Sequence, residues 1–206
     1  MPDLLHSAIV SFVAMFPIIN PIGHAPMFFG MTAESSSAHR RAMSVKIGIY
    51  VFLILTVTLL FGNLLLKFFG VDMDDLRIAG GLLVAHAGWV MLGNQSRVTP
   101  QEHQAASEKE DISLTPMAMP ILAGPGAMSL ALGLAGYGRA VHDYAGYILG
   151  FAAMGLLTWA SFRWSENMVR VLNVNAVGAL NRILGLFILA IGVHMIIRGV
   201  QDVWPR

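Results

Sequence analysis

No cysteine occurs among the 206 residues, which removes disulfides, thiolate metal ligands and cysteine nucleophiles and leaves the redox compartment open. Charge is almost as scarce: thirteen basic and twelve acidic residues make up 12% of the chain, with a formal net charge of +1. No long basic run exists, so nucleic acid is not an expected partner. The N-terminus lacks the basic stretch of a cleaved leader, and the first apolar run is expected to be retained as a span. What the chain does have is apolar surface: 56% hydrophobic residues and a mean hydropathy of +0.66. So few charges, gathered in short segments, cannot cover a protein of this size. Lipid is the expected solvent, and with it an all-α membrane fold in which helices satisfy their own backbone.

Crossing a bilayer takes about 20 helical residues, and six charge-poor intervals approach that length. They lie near 8–31, between Lys46 and Lys67, and at 78–94, 114–136, 144–162 and 183–197. The last is short between Arg182 and Arg198, and is expected to extend past these flanking arginines as they snorkel. A polar connector, 95–113, separates a first three-helix half, 1–94, from a second, 114–206, within a single membrane domain. Lys and Arg divide eight against five between the two sides. That bias places both termini on the non-cytoplasmic side.

Proline is concentrated: six of nine fall in two places, Pro17, Pro21 and Pro26 in the first span and Pro116, Pro120 and Pro125 in the fourth. Each proline inside a helix removes a hydrogen bond and crowds the preceding turn, at roughly 3 kcal/mol. Both spans are therefore expected to break. Pro21 and Pro125 stand 104 positions apart, and Arg77-Ile-Ala-Gly aligns 105 positions on with Arg182-Ile-Leu-Gly. An offset that holds to within one residue across two elements points to duplication. With three spans in each half, the second copy enters the membrane in the opposite sense. Inverted repeats whose helices are interrupted at matching places point to a secondary transporter with its site near the midplane. The competing account is that the prolines merely kink two helices for packing.

A broken membrane helix frees amides and carbonyls that protein or solute must satisfy. Pro21 and Pro125 suit the first position of a second half-helix, with the amides near Gly23 and Gly126 directed into the gap. Such an N-terminus attracts a carboxylate, and the carbonyl end of the preceding half attracts an ammonium or small cation. No acid or base lies mid-span, which favours a neutral or zwitterionic solute. Asn20 either caps the second half-helix or touches the solute. His24 and His86 are candidates for proton coupling, against the plain alternative of a neutral histidine bonded to a carbonyl. His194 is expected at the interface. Arg77 and Arg182, beginning the third and sixth spans, either gate or anchor.

Asn20-Pro-Ile-Gly23 with Pro26, Phe69-Gly-Val, Leu76-Arg-Ile-Ala-Gly-Gly81, and Pro116-Met-Ala-Met-Pro120 with Ala123-Gly-Pro-Gly126 together resemble the MarC and SnatA family of bacterial and archaeal inner-membrane proteins. The resemblance covers nearly the whole chain. It implies six transmembrane helices and, for some members, cation-coupled transport of small neutral amino acids such as glycine and alanine. By that resemblance the substrate path holds Asn20, Pro21, Gly23, Gly124, Pro125 and Gly126. His24 lies outside the family motif.

The expected activity is thus transport of small neutral amino acids, without enzymatic chemistry, cofactor or metal, and with proton or sodium coupling left open. Lipid bilayer and amino acid are the expected partners; the oligomeric state is not legible. Two other classes stand beside this one: a scaffold or regulator working through 95–113, and a histidine-dependent membrane enzyme, for which no metal-ligand pair at i, i+4 within a span and no embedded acid is present.

Overall fold

The computed structural model describes residues 2–93, 110–138, 140–171 and 174–203. Those residues contain helices and no strand. In chain order they are α1 (Pro2–Ile19), α2 (Pro21–Met31), α3 (Ser37–Phe69), α4 (Met73–Leu92), the irregular α5 (Ser113–Leu122), α6 (Pro125–Tyr137), α7 (Val141–Arg163), the short α8 (Ser165–Val171) and α9 (Val174–Val203). By length and apolarity α3, α4, α7 and α9 can each cross a membrane, and the bent pairs α1–α2 and α5–α6 qualify when each pair is one span. The connector up to residue 109, together with Arg97, Lys109, Arg139 and Arg206, falls outside the described residues.

Local chemistry sets the helix ends. Ser36 caps α3, its hydroxyl accepting from the His39 amide at 3.2 Å. Gly70 ends α3 in the left-handed region (φ 66), and the Val71 amide returns to the Leu66 carbonyl at 3.0 Å. Asp72 precedes α4, with Asp74 and Asp75 in its first turn, where acids complement the helix dipole. In α5 the regular turn is lost at Thr115 (φ −126, ψ 119) and Met119 (φ −135, ψ 124). Each immediately precedes a proline, and the clash with the following ring excludes the helical region there.

Small residues set the packing. Helices α4 and α9 run antiparallel in close contact: a Cβ on Gly81 would sit 2.8 Å from the Gly192 carbonyl, and one on Gly88 2.7 Å from the Gly185 carbonyl. Gly48 and Gly155 bring α3 and α7 together in the same way, a Cβ on either reaching the other's carbonyl at 2.7 or 2.6 Å. Without a hydrophobic drive between lipid-solvated helices, such close backbone approach is what holds them. A buried cluster joins residues from both bent pairs with α3, α4, α7 and α9, including Met15, Ile19, Phe28, Leu55, Val84, Leu122, Phe151 and Ile188. Phe28 stacks on Phe162 at 4.8 Å. The outer faces carry Leu64, Phe68, Leu186 and Phe187, all more than half exposed, as a lipid-facing surface requires.

Arg40 is the polar hub at one end. Its guanidinium donates to the Thr32 hydroxyl (3.1 Å), the Thr32 carbonyl (2.9 Å), the Ser35 carbonyl (3.3 Å) and Glu166 (3.3 Å), and lies 4.7 Å from the centre of the Phe29 ring. It ties the end of α2 to α8. At the opposite end of the α4–α9 pair, Arg77 bridges Asp74 at 2.9 Å and Asp202 at 2.6 Å.

The sixth span extends past its flanking arginines as expected: α9 runs 30 residues, with Arg182 and Arg198 exposed along it. Their aliphatic stems let them remain on a membrane helix. The polar segment expected between the fifth and sixth spans contains α8.

Candidate functional site

At the first break Pro21 opens α2, and Asn20 takes the left-handed conformation (φ 44, ψ 58), which asparagine tolerates better than most residues. The Asn20 side-chain oxygen accepts from the Gly23 amide at 3.0 Å, so Asn20 is the helix cap. Its side-chain nitrogen donates to the Asn181 side-chain oxygen, also at 3.0 Å. Asn20 is 1% exposed. Asn181, on α9, thus completes an amide pair in which its own NH2 group is still available to donate.

Behind the cap, His24 Nδ1 lies 3.0 Å from both the Ile19 and Asn20 carbonyls. Two acceptors around one ring nitrogen require the proton to be on Nδ1. The bend of 43° between α1 and α2 therefore leaves few groups over: the Gly23 amide, expected to face the gap, is taken by Asn20, and carbonyls expected to attract a cation are taken by His24. Gly23 leaves no room for a side chain, since an added Cβ would collide with the amides of both Asn20 and Asn181.

The second break bends by 64° between α5 and α6. Pro125 opens α6, but the cap is Gly124, which has no side chain to offer. The Met128 amide reaches the Gly124 carbonyl at 3.0 Å, leaving the amides of Gly126 and Ala127 without a side-chain acceptor among the described residues. Pro125 is exposed and Gly126 half-buried, whereas Asn20 and Pro21 are buried. A Cβ at Gly124 would collide with the Pro120 carbonyl, and one at Gly126 would lie 2.8 Å from Val84 Cγ2. No capping side chain fits at position 124.

Both breaks contribute to the same buried cluster, Ile18, Ile19 and Ala25 from the first and Ile121, Leu122, Ala123 and Ala127 from the second. The structure does not bring His86 to either. It is exposed on α4 two positions after Val84, and Val84 faces Gly126, so His86 occupies the other side of the helix. His194 is exposed on α9. Arg77 is engaged with Asp74 and Asp202, while Arg182 is exposed near the other end of the α4–α9 pair. Among the described residues no group of three His, Cys, Asp or Glu side chains could hold a metal ion. Sequence reasoning misses Asn181: a sixth span taken from 183 starts two residues too late to include it. An amide at the head of an apolar helix was the available signal.

The profile of the MarC family integral membrane proteins matches residues 5–204. Similar proteins include the UPF0056 membrane protein YhcE of Escherichia coli (strain K12), 32% identical over 94% of this chain and 92% of its own. The UPF0056 membrane protein YvbG of Bacillus subtilis (strain 168) is 33% identical over 94% of both chains. The UPF0056 inner membrane protein MarC of Citrobacter koseri is 32% identical over 98% of both. These names describe membrane proteins and specify no reaction or solute. No solved structure matches the chain. Apolar helices long enough to cross a bilayer, the paired Pro/Gly breaks and the match from end to end agree with a multi-pass protein of the inner membrane, and the chain belongs to the MarC family.

Proposed function

We propose that this protein is a secondary carrier of small zwitterionic amino acids, working by movement of two inverted repeats around the broken helices. The observation that carries the proposal is the uncapped, open N-terminus of α6 in a membrane protein without mid-span charge. Its free amides, with Gly126 foremost, suit a carboxylate. Asn181, whose NH2 group is left over by the pair with Asn20, adds a second donor. The ammonium falls to carbonyls at the end of α5. The glycines at 124 and 126 let the solute approach the backbone.

Support for the repeats comes from exchanged contacts. Helix α3 packs on α7 and α4 on α9, α2 touches α9 where α6 touches α4, and α2 touches α7 where α6 touches α3. The Ser11 hydroxyl is 3.4 Å from the Tyr147 carbonyl, and the Ser113 hydroxyl 3.4 Å from the Met43 carbonyl. Residues 43 and 147 are again 104 apart. Such swapped contacts are what a pseudo-twofold axis in the membrane plane produces.

Coupling, in this proposal, uses a proton or sodium gradient and no cofactor, with both termini outside the cytoplasm. Liposomes holding the purified protein are expected to take up labelled glycine and alanine, faster with one of the two gradients imposed. Gly126→Leu and Asn181→Ala are expected to cut uptake at least tenfold while the protein still melts cooperatively. Absence of protein-dependent flux for every small neutral amino acid tried overturns the proposal. Retained flux in both variants removes the site assignment.

A further inference from the structure

A second feature lies away from the breaks, on the outer face where α3 and α7 cross. An apolar groove of about 470 Å³ runs between them, floored by Gly48 and Gly155 and walled by Ile49, Phe52, Leu156 and Trp159. Gly48 and Gly155 leave backbone as its floor. The Trp159 indole N–H is closed off from solvent with no acceptor among the described residues, so this wall offers carbon and ring surface rather than a hydrogen bond. The groove fits a hydrocarbon chain, not a polar solute.

One turn beyond Val45 on α3 and beyond Trp159 on α7, the same helix faces carry Arg41 and Arg163. Both line a polar pocket of about 250 Å³ with Ser37, Arg40, Trp164, Glu166 and Asn167. Trp159 and Trp164 connect the two cavities, their rings 6.5 Å apart. The basic groups here are not equivalent. Arg40 and Arg170 share Glu166, at 3.3 and 2.6 Å on its two oxygens, so that carboxylate is spent. Arg41 and Arg163 have no acidic partner among the described residues.

From this we infer a binding site for an anionic phospholipid: its phosphate lies between Arg41 and Arg163 and one acyl chain lies along the α3–α7 groove. Arginine suits phosphate through paired N–H donors in a plane, and paired basic groups between membrane helices recognise anionic headgroups. Interfacial tryptophans mark the depth at which headgroup and chain meet. Charge opposes the obvious competitor, since a second copy docking here about a nearby twofold axis would bring like-charged arginine pairs onto one rim. The site is independent of the solute path.

Native mass spectrometry of the full chain in a mild detergent reads the site directly. Titrations use phosphatidylglycerol, phosphatidylcholine and inorganic phosphate in parallel. Phosphatidylglycerol is expected to bind about tenfold or more tighter than phosphatidylcholine, and inorganic phosphate alone far more weakly than either. The double variant Arg41→Gln/Arg163→Gln is expected to bring phosphatidylglycerol down to the level of phosphatidylcholine. Ala152→Phe, which fills the groove from an exposed position, is expected to weaken both lipids and keep their ratio. Equal affinity for the two lipids, or a preference that survives the double variant, overturns the inference. So does phosphate binding as tightly without a lipid tail, or a dimer that Ala152→Phe dissolves.

Discussion

The two breaks begin alike, with a proline opening a half-helix, and end in opposite states. At the first, side chains from its own surroundings absorb what the break releases: Asn20 takes the Gly23 amide, His24 takes the carbonyls of Ile19 and Asn20, and Asn181 pairs with Asn20. At the second, a glycine stands at the cap and the amides behind it are left over. The vacancy there is enforced by sterics, because the Pro120 carbonyl occupies the place where a Cβ at position 124 would project. A broken membrane helix is a recognition element only to the extent that its groups remain unspent, and by that measure α6 outranks α2.

The sharpest way to break the comparison is to put a Cβ into each break. Gly124→Ala drives it onto a backbone carbonyl that has no rotamer to change, and is expected to cost about 3 kcal/mol. Gly23→Ala meets side-chain amides that move only by giving up the cap and the pair, at a cost nearer about 2 kcal/mol. Thermal melts of the two purified variants measure the difference, and equal losses erase the distinction.

Next in size is the cap itself. Asn20→Ala loses the bond to Gly23, strands Asn181 and keeps an unfavourable positive φ, at about 2 kcal/mol in all. Asn20→Gly loses the bond but fits the backbone, and is expected to be milder by about 1 kcal/mol. If glycine is as damaging as alanine in the melts, the left-handed turn is not what selects asparagine. The pairing of Asn20 with Asn181 is smaller again: a double-mutant cycle with alanine at each is expected to return a coupling of about 1 kcal/mol.

The smallest effect concerns the anchor ahead of the second break. Burial pushes the Asp111 carboxyl up, but hydrogen bonds from Lys46 and from the side chain and amide of Ser113 outweigh it and hold the group down at about 2, below its ordinary 3.8. The contribution to stability is therefore present above pH 3.8 and lost as pH falls through about 2. Because the ion pair is partly exposed, Asp111→Asn is expected to lower Tm at pH 7 by only about 2 °C, with the two proteins converging in acid.

Much of this was legible in the sequence because it depends on local chemistry. Proline dictated both breaks, since the missing N–H and the crowded preceding residue act within a few positions. Pro21 and Pro125 were expected at half-helix starts and stand there. Asn20 could be narrowed to cap or contact, as its side chain reaches only its own turn or a neighbour. Partners brought from afar were not legible. Asn181 lies 161 positions from Asn20, and His24 serves carbonyls whose need arises only from the exact bend. The continuation of the last helix past Arg182 and Arg198 was legible, by contrast, because a long stem can put the guanidinium where the backbone is not.

The glycine seam between α4 and α9 has a mechanical consequence. Interlocked side chains behave as teeth, and one helix can slide past another only by rotating each tooth out of its notch. Gly81, Gly88, Gly185 and Gly192 bring backbone against backbone, and Ile196 and Met91 seat against Gly81 and Gly185 as teeth in notches. The seam works as a lock, since sliding either helix drives a side chain or a carbonyl onto its neighbour's backbone. The Arg77 bridge to Asp202 pins the same register at one end.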